Sequence, residues 1–207
     1  MTWGALTKIV AHRGASSEAT ENTLEAFEKA IEAGADMIEF DVRRDPSGAL
    51  RISHDPILDL GIDLATLEET LRLTQGKIQL DVELKEPGCE RDVIELLLRY
   101  FALPDFCITS FLAPSLHETR KVHPGIRTGL IFAAWNASVR SGSLSPDCDF
   151  LVAQHRLVDQ AEEIGKPLFV WTVDDPALTR KLFHRSLVEA IVTNKPREAL
   201  ALRAETR

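Results

Sequence analysis

Strand-like and helix-like segments alternate along this 207-residue chain, and that alternation constrains its fold more than any other feature. The apolar runs with strand character are "KIVAHR", "DMIEFDV", "LRISHD", "IQLDVELK", "FCITSF", "RTGLIF", "DFLVAQ", "PLFVWTV" and "EAIVTN". Apolar residues recur at helical spacing in "ENTLEAFEKAIEAG", "TLEETLRLT", "ERDVIELLLRYF", "APSLHETRKVH", "LVDQAEEIG", "DPALTRKLFHRS" and "PREALALRA". Strands alternating with helices imply a parallel sheet with helices outside it. One link breaks the pattern. Only "RDPSG", residues 44–48, separates the second run from the third. A parallel crossover needs about a dozen residues or more, so "LRISHD" must return antiparallel, as a hairpin on the second strand. Setting it aside leaves eight parallel strands.

The predicted fold is therefore a (β/α)8 TIM barrel of near-minimal size, a single domain over 1–207. Residues 133–149 are long enough for a crossover but weakly helical, so one outer helix is expected to be degraded. An open doubly wound sheet is the alternative, but no GxGxxG or P-loop follows the first strand. Helix ends carry local signals. Asn22 with Glu25, and Thr66 with Glu69, have capping-box spacing. Asp175 precedes Pro176 as an N-cap should, and Gly34, Gly76 and Gly165 sit where helices should stop.

A formal charge of −8 argues against broad nucleic-acid binding, which needs a basic face. It leaves room for a small anionic ligand, because local basic groups or a metal can reverse the sign inside a cleft. No stretch has the pattern of a signal peptide, and no apolar run approaches the length of a membrane span. Cys89, Cys107 and Cys148 form no CxxC pair and read as reduced thiols of a cytoplasmic protein.

In a barrel, function gathers at the C-terminal ends of the strands. There the sequence places His12 and Arg13, Glu39 and Asp41, His54 and Asp55, Asp81, Glu83 and Lys85, Ser110, Trp171, and Asn194 with Lys195. Strand side chains alternate between faces. In "IEFDV" the apolar Ile38, Phe40 and Val42 belong under the helices, so Glu39 and Asp41 point into the barrel. By the same rule Asp81, Glu83 and Lys85 of "LDVELK" point inward. If Glu83 approaches Glu39 and Asp41, three carboxylates converge. Two like charges about 4 Å apart repel by roughly 4 kcal/mol at an effective dielectric of about 20. A divalent cation removes that conflict, and all-oxygen ligands point to Mg²⁺ or Ca²⁺.

Each residue alone has a plainer reading. An inward carboxylate can be a core ion pair, and His12 by itself can be a capped structural histidine. The number of such groups at one end separates the readings. His117, His123 and His184 read as surface groups, while His155 and Trp135 are placed where they can reach the mouth. Trp3 has no evident partner.

The segments "AHRGASSEATENTLEAFEKAIEAGADMIEFDV", "ISHDPIL", "VELK", "VWTVDD" and "IVTNKP", in this order over nearly the whole chain, resemble the glycerophosphodiester phosphodiesterase family. The resemblance implies a (β/α)8 barrel and metal-dependent hydrolysis of a phosphodiester. It implies Glu39, Asp41 and Glu83 as ligands of one Mg²⁺ or Ca²⁺ and His12 and His54 as the acid/base pair. It further implies Arg13 and Lys85 on the phosphate and Trp171 beside the substrate, with Glu21 and Asn22 supporting the site. Three departures stand out. Thr20 replaces the family's usual proline before "ENT", "TNKP" replaces "TDRP", and the small insertion common after the "HD" segment is missing. A more open mouth follows, with less selection for glycerol as the alcohol. Two alternatives remain on the same scaffold. One is a lysophospholipase D or sphingomyelinase D-like activity releasing a cyclic phosphate. The other is an inactive protein that binds a phosphate ligand.

Overall fold

A computed structural model describes residues 6–59, 63–136, 139 and 148–206. The strands are β1 (Lys8–His12), β2 (Met37–Arg44), β3 (Leu50–Ile52), β4 (Gln79–Leu84), β5 (Phe106–Ser110), β6 (Arg127–Phe132), β7 (Phe150–Gln154), β8 (Leu168–Trp171) and β9 (Val188–Thr193). The helices are α1 (Leu24–Ala33), α2 (Leu67–Thr74), α3 (Glu90–Tyr100), α4 (Ala113–Val122), α5 (Val158–Glu162), α6 (Pro176–Leu182) and α7 (Pro196–Glu205). Every strand-like run of the sequence holds one strand, and every helix-like stretch one helix. The weakly helical stretch at 133–149 lies mostly outside the described residues.

All strands but β3 pair in parallel, and β1 joins both β9 and β2, closing the sheet into an eight-stranded barrel. The short "RDPSG" link has the predicted result: β3 pairs antiparallel with the end of β2, outside the barrel. Period-two alternation then splits the core in two. Ile38, Phe40, Val42, Leu80, Val82 and Leu84 face the helices in one large cluster. Val10, Met37, Cys107, Ile131, Phe150, Val152, Phe169, Ala190 and Val192 fill the barrel interior. Phe150 and Phe169 stack with ring centroids 4.4 Å apart. Arg127, 4.7 Å above the Phe150 ring, pairs with Glu189. The interior is thus a packed plug, closed at its N-terminal end by the Arg127–Glu189 pair and lined by carboxylates at its C-terminal end.

The end signals act largely as read. Thr66 and Glu69 form a complete capping box, and Asp175 accepts a hydrogen bond from the Leu178 N–H. Gly34 ends α1 in the left-handed conformation. The exception is Asn22. Thr23, not Asn22, caps α1, its hydroxyl oxygen accepting from the Ala26 N–H. Asn22 turns away, at φ 58°, to serve a buried carboxylate. Gly14 makes the exit turn from β1 at φ +83°, where an added Cβ would lie 2.6 Å from the Ala26 carbonyl carbon.

Candidate active site

Strand register brings the inward polar residues together. His12 is level with Glu39 on the β1–β2 ladder, and on β2–β4 Glu39 is level with Asp81 and Asp41 with Glu83. One carboxylate oxygen from each of Glu39, Asp41 and Glu83 lies within 4.8 Å of the others, and all three residues are buried. Above them opens a cavity of about 100 Å³. Its polar wall includes His12, Arg13, Glu39, His54, Glu83 and Lys85, and its apolar wall Phe111, Ile131, Val152, Trp171 and Val192.

Two cations answer the carboxylates. Lys85 Nζ lies 2.6 Å from Glu83 Oε1 and 3.3 Å from Asp41 Oδ1. Arg13 Nε is 3.2 Å from Asp41 Oδ2, while its Nη1 pairs with Glu21 at 2.7 Å. The Arg13 backbone sits in the left-handed region at φ 54°, and its N–H donates to Glu39 Oε2 at 2.9 Å. Such strain costs on the order of 1–3 kcal/mol and collects at functional sites. Asn22 clamps Asp41, donating from Nδ2 to Oδ2 at 2.8 Å. On the floor, Thr109 donates to Asp81 at 2.7 Å.

The two histidines sit in different surroundings. His12 is largely buried, with Nδ1 2.8 Å from Asn194 Oδ1 and Nε2 3.9 Å from Glu39. His54 is half-buried on the loop after β3, with Nδ1 2.9 Å from Asp55 Oδ1. Arg43 fixes that loop by donating from Nε to the His54 carbonyl at 2.9 Å. Trp171 is anchored by its indole N–H to the Val152 carbonyl at 3.1 Å and meets Phe111 edge-on at 5.6 Å. Lys85 Nζ lies 5.6 Å from the Phe111 ring centre.

The crowding shows in the proton affinities. Burial, then the charges of Asp41, Glu83 and Asp81, hold Glu39 well above the usual carboxylate range. Burial and the Asp41 charge push Glu83 up to about 7. Burial raises Asp81 to about 6, against hydrogen bonds from Thr109 and Cys107. Asp41 is the reverse case. Burial would raise it, but Lys85, the Asn22 hydrogen bond and Arg13 together hold it below its ordinary value. Burial lowers His12, only partly offset by Asn194.

This donor set suits a hard divalent cation. Among the described residues, the buried carboxylates Glu39, Asp41, Asp81 and Glu83 outnumber the cations Arg13 and Lys85. Asp41 Oδ1 is buried and accepts no hydrogen bond.

The cavity brings together seven of the eight site residues read from the sequence, and the eighth, Asp41, lies directly behind it. Other expectations change. Ser110 is buried and donates to the Leu84 carbonyl, tying β5 to β4 instead of facing the mouth. Lys195 lies 3.5 Å from Glu198 on the surface. His155 begins the turn after β7, and Trp135 packs near Phe132; neither lines the cavity. Trp3 lies outside the described residues. Sequence reasoning missed Asp174, whose carboxylate receives the Asn194 amide, and Phe111. Both sat in quoted motifs, "VWTVDD" and "FCITSF", but nothing local marks a partner some twenty positions away.

Known proteins resemble this chain in sequence and in fold. The model of the glycerophosphoryl diester phosphodiesterase family matches residues 12–82, which carry His12, Glu39, Asp41 and His54. A glycerophosphodiester phosphodiesterase of Caldanaerobacter subterraneus subsp. tengcongensis is 28% identical over 95% of this chain and 97% of its own length. The crystal structure of a glycerophosphodiester phosphodiesterase from Thermotoga maritima superimposes with a TM-score of 0.81 at 26% identity, covering 96% of this chain and 99% of that one. An Oleispira antarctica phosphodiesterase, solved with the product sn-glycerol-3-phosphate, aligns at TM-score 0.80 and 22% identity, covering 95% and 96% of the two chains. Motif order, closed barrel and near full-length alignment converge on the glycerophosphodiester phosphodiesterase family.

Proposed function

We propose that the chain hydrolyses a glycerophosphodiester-like phosphodiester to an alcohol and a phosphomonoester, sn-glycerol 3-phosphate when the substrate is a glycerophosphodiester. The observation that carries this reading is the convergence of three buried carboxylates, two histidines and two cations on one cavity. The names of the relatives, and the product bound in the Oleispira structure, point to the same reaction class.

In this reading Glu39, Asp41 and Glu83 hold one divalent cation, Mg²⁺ or Ca²⁺. When bound, that ion supplies positive charge where the phosphate oxygens gain electron density. Arg13 and Lys85 hold the phosphate, Arg through its planar fork. Trp171 and Phe111 form the apolar wall beside the substrate. His12 and His54 divide the proton work. As the nucleophile's oxygen bonds to phosphorus, one imidazole takes its proton. As the phosphorus–alcohol bond breaks, the other protonates the departing oxygen. The nucleophile is water, or first the glycerol hydroxyl next to the phosphate, which expels the other alcohol and gives a cyclic phosphate that water then opens.

Among the described residues no helix is long and apolar enough to cross a membrane. The test is a panel of glycerophosphocholine, glycerophosphoethanolamine, lysophosphatidylcholine and bis-p-nitrophenyl phosphate, with Mg²⁺ or Ca²⁺, reading free and cyclic phosphate products. EDTA should abolish turnover and either ion restore it. His12→Ala and His54→Ala should each lower kcat by about 10²–10⁴-fold with the circular dichroism spectrum unchanged. Full turnover in EDTA would refute the metal assignment, and full turnover in either variant would refute that histidine's role.

A further inference from the structure

A chain of hydrogen bonds runs from the end of β8 to the imidazole of His12. Asp174, just past β8, accepts at Oδ1 from the Asn194 backbone N–H at 2.8 Å and from the Thr193 hydroxyl at 2.9 Å. Its Oδ2 accepts from Asn194 Nδ2 at 2.7 Å. A carboxylate offers only acceptors. Asn194 must therefore turn its NH₂ toward Asp174 and its amide oxygen toward His12. That oxygen lies 2.8 Å from His12 Nδ1 and also receives the Ser16 hydroxyl at 2.9 Å. An amide oxygen has no proton to give, so the Nδ1 bond exists only when Nδ1 carries the proton. In the neutral ring the lone pair is then on Nε2, the nitrogen on the Glu39 side of the ring.

We propose that Asp174 and Asn194 are positioning residues that lock His12 in the Nδ1–H tautomer, so that Nε2 begins each turnover as a proton acceptor. This inference rests on the acid/base role given to His12 above. Without Asp174 the Asn194 amide is free to turn over and present NH₂ to Nδ1, which selects the opposite tautomer. A purely structural pair would stitch β8 to β9 and leave the imidazole protons unaffected.

The test uses the full chain with Mg²⁺ and glycerophosphocholine, steady-state kinetics and ¹⁵N imidazole shifts, with the His12 signals identified by their loss in His12→Ala. Asn194→Leu removes the acceptor. It should lower kcat on the order of 10–100-fold, with KM within about twofold, and mix the His12 tautomers. Asp174→Leu should move both readouts in the same direction. The exchange variant Asp174→Asn/Asn194→Asp returns an acceptor to Nδ1 and should recover most of kcat and the Nδ1–H signature. Wild-type kcat and an unchanged tautomer in Asn194→Leu, with His12→Ala inactive, would overturn this proposal and leave the His12 role standing. Full activity of His12→Ala would overturn the underlying reading instead. If Asn194→Leu fails to fold, the folded exchange variant decides, because low kcat or a lost Nδ1–H signature there overturns the proposal.

Discussion

Glu83→Gln should stabilise the metal-free protein in alkaline solution while removing its response to metal. The reasoning starts from the Glu83 carboxyl, pushed up to about 7 by burial and by the neighbouring Asp41 charge, from an ordinary value of 4.5. Between those two values the native state holds a proton that the unfolded chain has released. Unfolding free energy therefore falls as pH rises through that window. Below about pH 4.5 both states are protonated and the cost is absent; above about pH 7 it is present in full. A displacement of that size is worth about 3 kcal/mol. Lys85, 2.6 Å away, already moderates it, since its charge opposes the rise. Glutamine keeps the shape and cannot ionise. Urea unfolding in EDTA should show variant and wild type within about 1 kcal/mol near pH 5, and the variant ahead by about 2–3 kcal/mol near pH 8, with the same m-value. Saturating Mg²⁺ should then raise the wild type by about 2.7 kcal/mol at a hundredfold excess over Kd, and the variant by much less. Parallel stability curves across this pH range would refute the claim that carboxylate crowding is relieved by losing a charge at Glu83.

Asp41→Asn should behave oppositely. Asp41 is held below its ordinary value of 3.8, so its charge adds stability above that pH, and the contribution is lost as pH falls through the lower native value. Removing it leaves Lys85 and Arg13 short of a buried partner, a loss of about 3–5 kcal/mol near pH 7 that should shrink toward pH 3 in urea titrations. Gly14→Ala combines a left-handed φ of +83° with a Cβ pressed on the Ala26 backbone. It should cost more than about 2 kcal/mol in the same assay and lower turnover, because Arg13 and His12 adjoin the turn.

The fold was legible because its determinants are local. Alternating periodicity named the strands and helices, and the five residues of "RDPSG" were too few for a parallel crossover whatever else the chain did. The convergence of Glu39, Asp41 and Glu83 was legible for a similar reason. Period-two alternation in "IEFDV" and "LDVELK" fixes which side chains share a face, and the β2–β4 register then needs only to be in step. Asn22 shows where local reading fails. Its spacing to Glu25 fits a capping box, yet two uses compete for its amide. A cap is worth about 1 kcal/mol, and the adjacent Thr23 can supply it. A hydrogen bond to a buried, ionised carboxylate is worth about 1.5–3 kcal/mol, and without it Asp41 would lose that donor. The stronger interaction wins, and it joins residues nineteen positions apart. Asp174 and Asn194 follow the same logic across β8 and β9. Each is an ordinary strand-end residue in sequence, and their meaning arises only when barrel closure sets both beside His12. What periodicity cannot carry is the competition among polar partners that closure creates, and in this chain that competition decides how His12 and Asp41 are held.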